Sequence, residues 1–505
     1  METQLFAIPT YTAQTFVFAS VVFAIFACLP VLDYRIKLSK LPVIGVHSSG
    51  EKQRQFFLTS AKKIYTDGYR KFKHTVFRIA SWDDDDVVIV PPSMLSELRK
   101  LPDDVLSFSE ATSRVLESKY TGVSGDLSVL AHCVQADLTP ALTRMNAEIL
   151  DEVEIAMERF LPRENSTAVQ IYDTLAYIVA QVSGRLFVGP ELCRDSDYID
   201  CAVKYSLEIF TAAGAIKKLR PWLRPLLGSR VPEVKLLWDR ERRAMDMIGS
   251  LIRQRQEAEK ADPAWQKPDD MMQWLMARSN ESLAKLTNRQ LVLTFAAIHT
   301  TTTAATNVLY TLAATPEYIP ELREEVRGVL AENGGVLTTK ALQQMLKLDS
   351  YMREVNRYYP IGLITFNRRA LKPFTLSNGQ RIPAGVTVGA VAFAVYDDPD
   401  PNSDVYKFDG FRHYKQRINA RAAGAQARTQ FVAANEDNMA FGYGRHACPG
   451  RFFAANEIKI ILARLLLDYD ISMPDGLTER HAQLMSGNFC SPDPKKVVVL
   501  KRVQV

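Results

Sequence analysis

Phe441-Gly442-Tyr443-Gly444-Arg445-His446-Ala447-Cys448-Pro449-Gly450 is the stretch on which the fold turns. Gly442 and Gly444 admit backbone angles that a Cβ resists, so the chain can turn tightly here beneath a flat ligand. Pro449 follows the cysteine and suits the first turn of a helix. Phe453, Ile458, Ile461, Leu465 and Leu466 recur near helical spacing, which predicts a helix from about Gly450 to Leu467. A cysteine at that N-terminus meets the positive end of the helix dipole, which favours thiolate over thiol. The N–H groups of Gly450 and Arg451 stand where they can donate to the sulfur. The other cysteines, Cys28, Cys133, Cys193, Cys201 and Cys490, are scattered. A closed zinc site needs about four ligands, usually as close pairs, and no such set is present. The residues thus read as one thiolate offered to a metal, or as a buried cysteine beside a glycine turn.

Two upstream segments bear on that choice. In Tyr351-Met352-Arg353-Glu354-Val355-Asn356-Arg357 the spacing puts Glu354 and Arg357 on one helix face. Alone, such a pair reads as a solvated surface contact. Leu291 to Ala304 reads as an apolar helix carrying the threonine run Thr300-Thr301-Thr302-Thr303. A threonine hydroxyl can bond the carbonyl three or four residues back and bend a helix, leaving a groove for oxygen and water. The alternative is a core helix whose hydroxyls only bond its own backbone.

The cysteine loop resembles the haem-binding signature of the cytochrome P-450 family, the haem-thiolate monooxygenases. A phenylalanine, glycines and a cysteine stand at the family's spacing, with Phe441, Gly442, Cys448 and Gly450 implied as cofactor-binding and Cys448 as the axial ligand of haem b. The resemblance makes His446 and Arg368 partners of the haem propionates, and leaves Arg369 and Arg445 as solvated surface residues. It makes Glu354 and Arg357 a buried pair joined by Arg412 of Asp409-Gly410-Phe411-Arg412. Ala296 and Ala297 fill the small positions of the family's distal helix, and Thr300 its oxygen-side threonine. His299 stands where the family has an acid, so it either relays protons or forms a structural hydrogen bond. The family's Trp-x-x-x-Arg element is missing: Ala131 and Gln135 occupy its positions, with His132 as a weak substitute.

The implied fold class is mainly α with small β-sheets (α+β), with haem between a distal helix and the proximal cysteine loop. Residues 41–505 are expected to form the haem-thiolate catalytic domain. Residues 1–40 are expected to be an N-terminal membrane anchor with a basic flank. No charge falls between Thr3 and Leu32, Phe16 to Leu29 is apolar, and Arg35, Lys37 and Lys40 follow. That pattern places the chain in the endoplasmic reticulum membrane as a single-pass protein with a cytosolic catalytic domain. Leu41-Pro42-Val43-Ile44-Gly45 then reads as a hinge, and Leu219 to Leu227 either as a second membrane contact or as a loop packed on the core. Val76 to Ile79 and Val87 to Val90 flank Asp83 to Asp86 and predict a hairpin with a solvated acidic turn.

The chain has 505 residues, 47% of them hydrophobic, enough for one large core, and a net charge of +5. That charge, without basic runs interleaved with aromatics, excludes a nucleic-acid binder. Scattered cysteines exclude a disulfide scaffold.

The resemblance implies oxidation using O2, and the largely apolar pocket segments imply a lipophilic secondary metabolite, terpenoid or prenylated alkaloid. The branch resembled is that of membrane-bound fungal oxidases of ent-kaurene, gibberellin and indole-diterpene type. Electrons would come from NADPH through a partner reductase, with cytochrome b5 as a possible second donor, since the chain has no flavin or nicotinamide domain. Arg451 is a candidate docking residue. Phe295, Ile364, Phe366 and Phe489 are the expected substrate-pocket residues, with the Ser107 to Val123 loop closing over them. The alternatives are a haem-thiolate isomerase or dehydratase acting without O2, and a non-enzymatic haem sensor.

Overall fold

The computed structural model describes residues 15, 18–22, 29, 32, 34–80, 87–279, 281–393 and 402–503. The helices that build the core and its cavity are, in chain order, α1 (Gly50–Lys71), α2 (Phe108–Val115), α3 (Ser128–Cys133), α4 (Thr139–Phe160), α5 (Ile171–Phe187), α6 (Ser196–Lys218), α7 (Pro232–Ala261), α8 (Leu283–Ala314), α9 (Ile319–Glu332), α10 (Leu346–Tyr358), α11 (Arg412–Asn419) and α12 (Arg451–Asp468). Polar side chains set several starts: Ser107 accepts the Glu110 N–H to cap α2, and Asp195 accepts that of Tyr198 to cap α6.

α8 is the central rod. Thr301 to Ala313 are buried without interruption, so this helix has no solvated face and needs neighbours all round. α5, α6, α7 and α10 pack against it, and α12 reaches it from the C-terminal part of the chain. The small threonine and alanine side chains let these helices approach closely. α12 is similarly apolar, with Ile458, Ile460, Ile461 and Leu462 essentially inaccessible.

The main sheet has the order β1-β2-β3-β9-β6-β4, from Val43–Ile44, Phe77–Ile79, Val87–Ile89, Thr387–Val391, Ile364–Ala370 and Leu106–Ser107. β2 and β3 pair antiparallel, Phe77 opposite Ile89, which is the expected hairpin; Asp83 to Asp86 lie outside the described residues. Smaller sheets are β10-β13-β5 (Tyr469–Ser472, Val498–Arg502, Ser166–Val169), the pair β7-β8 (Phe374–Thr375, Arg381–Ile382) and the pair β11-β12 (Gln483–Ser486, Phe489–Pro492). Gly379, at φ +82°, turns the β7-β8 hairpin. The expected mainly helical α+β architecture is the observed one.

The membrane expectation is corrected. Among the described residues no helix is long and apolar enough to cross a membrane, so the single-pass anchor and the endoplasmic reticulum placement built on it fall. The Phe16 to Leu29 run lies mostly outside the described residues. Its fourteen residues are short of the roughly 20 that a span needs.

Candidate active site

Cys448 sits on the loop entering α12, with Gly450 as the residue before the helix. Gly442 and Gly444 take φ of +77° and +75°, which explains the glycines at those positions. The Cys448 N–H donates to the Phe441 carbonyl at 2.7 Å, closing the loop. Arg451 donates from Nη1 to the Cys448 carbonyl at 2.8 Å. The sulfur has free surface, but that surface faces an internal cavity. Burial therefore raises the thiol pKa, against the opposing pull of the Gly450 N–H, the Arg451 charge and the Arg451 N–H. The helix-terminus effect expected from sequence is present, and desolvation outweighs it.

The cavity measures about 650 Å³. Cys448, Gly450, Phe453 and Ala454 form one wall, and Val292, Leu293, Ala296, Ala297, Thr300 and Thr301 of α8 the opposite one. Thr300 turns its side chain to the cavity and donates to the Ala296 carbonyl at 2.8 Å. α8 stays helical through the threonine run. Thr302 and Thr306, on its buried side, have hydroxyls without a hydrogen-bond partner among the described residues.

His299 points elsewhere and does not line the cavity. Its Nε2 lies 2.9 Å from the Val203 carbonyl and its Nδ1 3.0 Å from the Tyr172 hydroxyl. A carbonyl only accepts, so Nε2 carries the hydrogen. Burial lowers the ring's pKa, so Nδ1 is bare and accepts from Tyr172. Of the two readings of His299, the geometry takes the structural hydrogen bond: the ring ties α8 to α5 and α6.

Glu354, Arg357 and Arg412 meet as expected. Arg357 forks onto the carboxylate at 2.8 and 2.7 Å, and Arg412 Nε reaches Oε1 at 3.2 Å. The Asp409 N–H donates to the same oxygen at 3.1 Å. His413, which the sequence did not single out, stands 3.5 Å from Oε2. Burial alone would raise the Glu354 pKa, but the Arg357 and His413 contacts dominate and hold it at about 2. The arginines extend the network to main-chain oxygens of Val405 at 2.6 Å and Asp404 at 2.7 Å, pinning the chain that leads back to the cysteine loop.

A cationic edge bounds the cavity. Arg368 is buried, with its guanidinium over Phe366 at 4.5 Å and Phe108 at 5.0 Å. Its hydrogen bond goes to the Asn367 carbonyl at 2.7 Å, and burial brings its pKa down to about 10. Phe366 has φ +57° at a register shift in the β6–β9 pairing; a bulge of this kind re-aims the side chains beside it. His446 stacks on Phe108 and contacts Asp103 at 3.0 Å. Arg445 also binds Asp103, at 3.0 Å. Arg445 and His446 line the main cavity, and with Arg368 they line a small recess beside it. Arg445 is exposed, as the surface reading expects, while also edging the cavity, and its partner Asp103 comes from a distant loop that sequence spacing does not reveal. Arg369 bonds Thr387 at 3.3 Å instead.

Ala131 and Gln135 do line the cavity. Gln135 lies in a π-turn, Val134–Leu138, a feature frequent at functional sites. His132 faces away, 3.3 Å from Arg278, and is no substitute partner. Of the expected pocket residues, Ile364 lines the cavity, Phe366 lines the recess under Arg368, and Phe295 and Phe489 lie outside both. Ser107, Phe108 and Ser109 from the expected closing loop join the wall.

These residues fit a haem. A soft sulfur faces the cavity centre, and a Cβ built on Gly450 meets nothing within 4 Å, leaving room beside it. Arg368 is a buried cation that pairs with no carboxylate among the described residues, as a site for the haem's own carboxylates requires.

The comparisons with known proteins agree with this geometry. The family model described as Cytochrome P-450 matches residues 132–499. The cytochrome P-450 monooxygenase TES1 of Alternaria alternata is 36% identical over 98% of this chain and 94% of its own length. An ent-kaurene oxidase of Fusarium fujikuroi is 32% identical over 92% of this chain and 88% of its own. Among solved structures, a retinoic acid bound cyanobacterial CYP120A1 superposes with a TM-score of 0.67 at 18% identity, covering 92% of this chain and 99% of that one, a likeness of fold.

Proposed function

This chain belongs to the cytochrome P-450 family, and from that membership we propose that it oxidises a bulky lipophilic secondary metabolite of terpenoid or prenylated-alkaloid type. It is a cytochrome P-450 monooxygenase, and its cysteine-ligated haem supplies reductive activation of O2 with NADPH-derived electrons.

The observation that carries the residue roles is that one cavity is walled by Cys448 on one side and by Thr300 on the other. Cys448 holds the iron through its thiolate, with the Gly450 and Arg451 N–H groups steadying the sulfur. Arg368 would set its charge against the haem carboxylates, with Arg445 and His446 beside it as further polar partners. Thr300 gives its hydroxyl proton to the Ala296 carbonyl and so presents its oxygen to the cavity as an acceptor, where Ala296 and Ala297 leave room for a small ligand and a water. Glu354, Arg357 and Arg412 fix the chain below the cysteine loop and take no part in proton transfer. Residues 41–505 act as one catalytic unit.

The substrate class is supported by the cavity's largely apolar wall, from Val292, Leu293, Ala296, Ile361 and Ile364, and by the similarity to a protein named ent-kaurene oxidase. A separate NADPH-dependent reductase delivers the electrons, and Arg451 lies on the side of the cavity where it would dock.

Expression with such a reductase in a host fed candidate scaffolds tests the reading. Products heavier by one oxygen, dependent on NADPH, are expected from terpenoid or prenylated scaffolds. A haem spectrum that responds to charged metabolites and ignores the lipophilic panel would overturn the substrate class. Product formed without NADPH or O2 would point to an isomerase or dehydratase instead.

A further inference from the structure

Two neighbouring acids just before β4 face opposite ways. The Asp104 carboxylate takes Lys372 at 2.6 Å, with both side chains exposed. Asp103 turns to the cysteine loop instead. Its Oδ1 meets Arg445 Nη2 and His446 Nε2, each at 3.0 Å. A carboxylate oxygen accepts, so both nitrogens donate to it, and His446 spends its Nε2 hydrogen on Asp103. Arg445 Nη2 also donates to the Leu101 carbonyl of the same stretch.

The turn that carries Asp103 is held from behind. The Val105 and Leu106 N–H groups both donate to the Pro102 carbonyl at 3.0 Å. Leu106 and Ser107 then pair with Ala370 and Arg369 of β6, the strand that carries Arg368. Phe108 follows, stacked on the His446 ring at 5.2 Å and under the Arg368 guanidinium at 5.0 Å. Asp103 and Phe108 thus grip one cationic edge from the two ends of the turn, and both line the cavity. The Asp103 charge also favours the charged form of Arg368 against its burial. An exposed ion pair adds little to the stability of a fold. The consequence of this one lies in the groups that it orients and in where it sets a negative charge.

We infer that Asp103 is a positioning residue for the haem: it fastens Arg445 and His446 to the 102–108 turn and so closes the cavity edge where the haem carboxylates would lie. The inference rests on the haem reading above and deepens it, since it assigns the group that holds that edge shut. A negative charge there also favours the more positive, ferric state of the iron, so Asp103 keeps the reduction potential low.

Two readouts on the holoenzyme test it: haem transfer from the ferric protein to apomyoglobin, followed at the Soret band, and the midpoint potential from spectroelectrochemical titration. Asp103→Ala removes both contacts and is expected to release haem about two- to tenfold faster, the range that two exposed ion contacts allow. Asp103→Glu should recover most of the wild-type rate. Asp103→Asn keeps an accepting oxygen without the charge, so its release should stay near the wild-type rate while its midpoint potential moves positive. Asp104→Ala is the control, because its partner is Lys372, and should change neither readout. Release from Asp103→Ala at the wild-type rate, or an acceleration that Asp104→Ala shares, would overturn the assignment while leaving the haem reading intact. So would an acceleration that persists in full once Arg445 and His446 are also replaced by alanine, or a potential unmoved in Asp103→Asn. A wild-type chain that takes up no haem would overturn both.

Discussion

The Arg357 guanidinium grips the Glu354 carboxylate in two parallel hydrogen bonds, at 2.8 and 2.7 Å, with the glutamate side chain fully buried. The Glu354 pKa is held at about 2, below the usual 4.5. A depressed acid stabilises the fold above its unfolded pKa and loses that contribution as pH falls through the folded value. The window here is pH 4.5 down to 2, and the contribution is roughly 3 kcal/mol. Urea midpoints followed across that range should fall steeply for the wild type and stay flatter for Glu354→Gln. Equal slopes would contradict the assignment. Glu354→Ala, which strands two arginine charges, should cost roughly 3–5 kcal/mol at neutral pH.

Thr300 and His299 should separate cleanly, although they are adjacent. Thr300→Ala is expected to keep substrate binding but lose coupling, with product per NADPH down by roughly a hundredfold, the lower end of general acid–base effects. Thr300→Ser should recover most of it. His299→Ala should keep coupling, because its ring serves Tyr172 and Val203, and should lower stability by roughly 1–3 kcal/mol through the partners left unbonded. Product-to-NADPH ratios and thermal unfolding check both.

Arg368 should matter for cofactor retention more than for turnover rate. It is a buried cation without a carboxylate partner among the described residues, already pushed to about 10 by desolvation. Arg368→Ala should accelerate haem transfer to apomyoglobin, while Arg369→Ala, whose side chain bonds Thr387, should leave that rate unchanged.

Glu457 gives a pH effect of opposite sign. It is fully buried on α12 with the Ser183 hydroxyl at 3.0 and 3.3 Å, and burial pushes its pKa up to about 8, with Ser183 opposing. The folded state therefore keeps a proton that the unfolded state loses, and stability falls as pH rises from 4.5 through 8. Glu457→Gln should unfold at a higher temperature than the wild type at pH 8 and at the same temperature near pH 4.

Much of this was legible in the chain because the informative positions are constrained locally. Gly442 and Gly444 announce positive φ, and Cys448 before a proline announces a helix start. Glu354 and Arg357 share a helix face by spacing alone. Arg412 needed the resemblance, and the structure brings it to Glu354 across more than fifty residues. Arg445 and Asp103 were missed because their pairing joins segments far apart in sequence. His299 was ambiguous because spacing on α8 says which residues are neighbours but not which face meets the cavity. Phe295 and Phe489 were placed one layer too far inward for the same reason. The membrane expectation fell because no helix among the described residues is long and apolar enough to cross a membrane; the Phe16 to Leu29 run holds Ser20 among its fourteen residues, and its flanks contain threonine, glutamine and proline.

The central claim is that Cys448 is the iron ligand. The carbon monoxide difference spectrum of the reduced holoenzyme tests it most directly, through the strongly red-shifted Soret band that a thiolate ligand produces. The wild type should give that band, and Cys448→His should bind haem yet give the band of an imidazole ligand. A thiolate-type band persisting in Cys448→His would contradict the account.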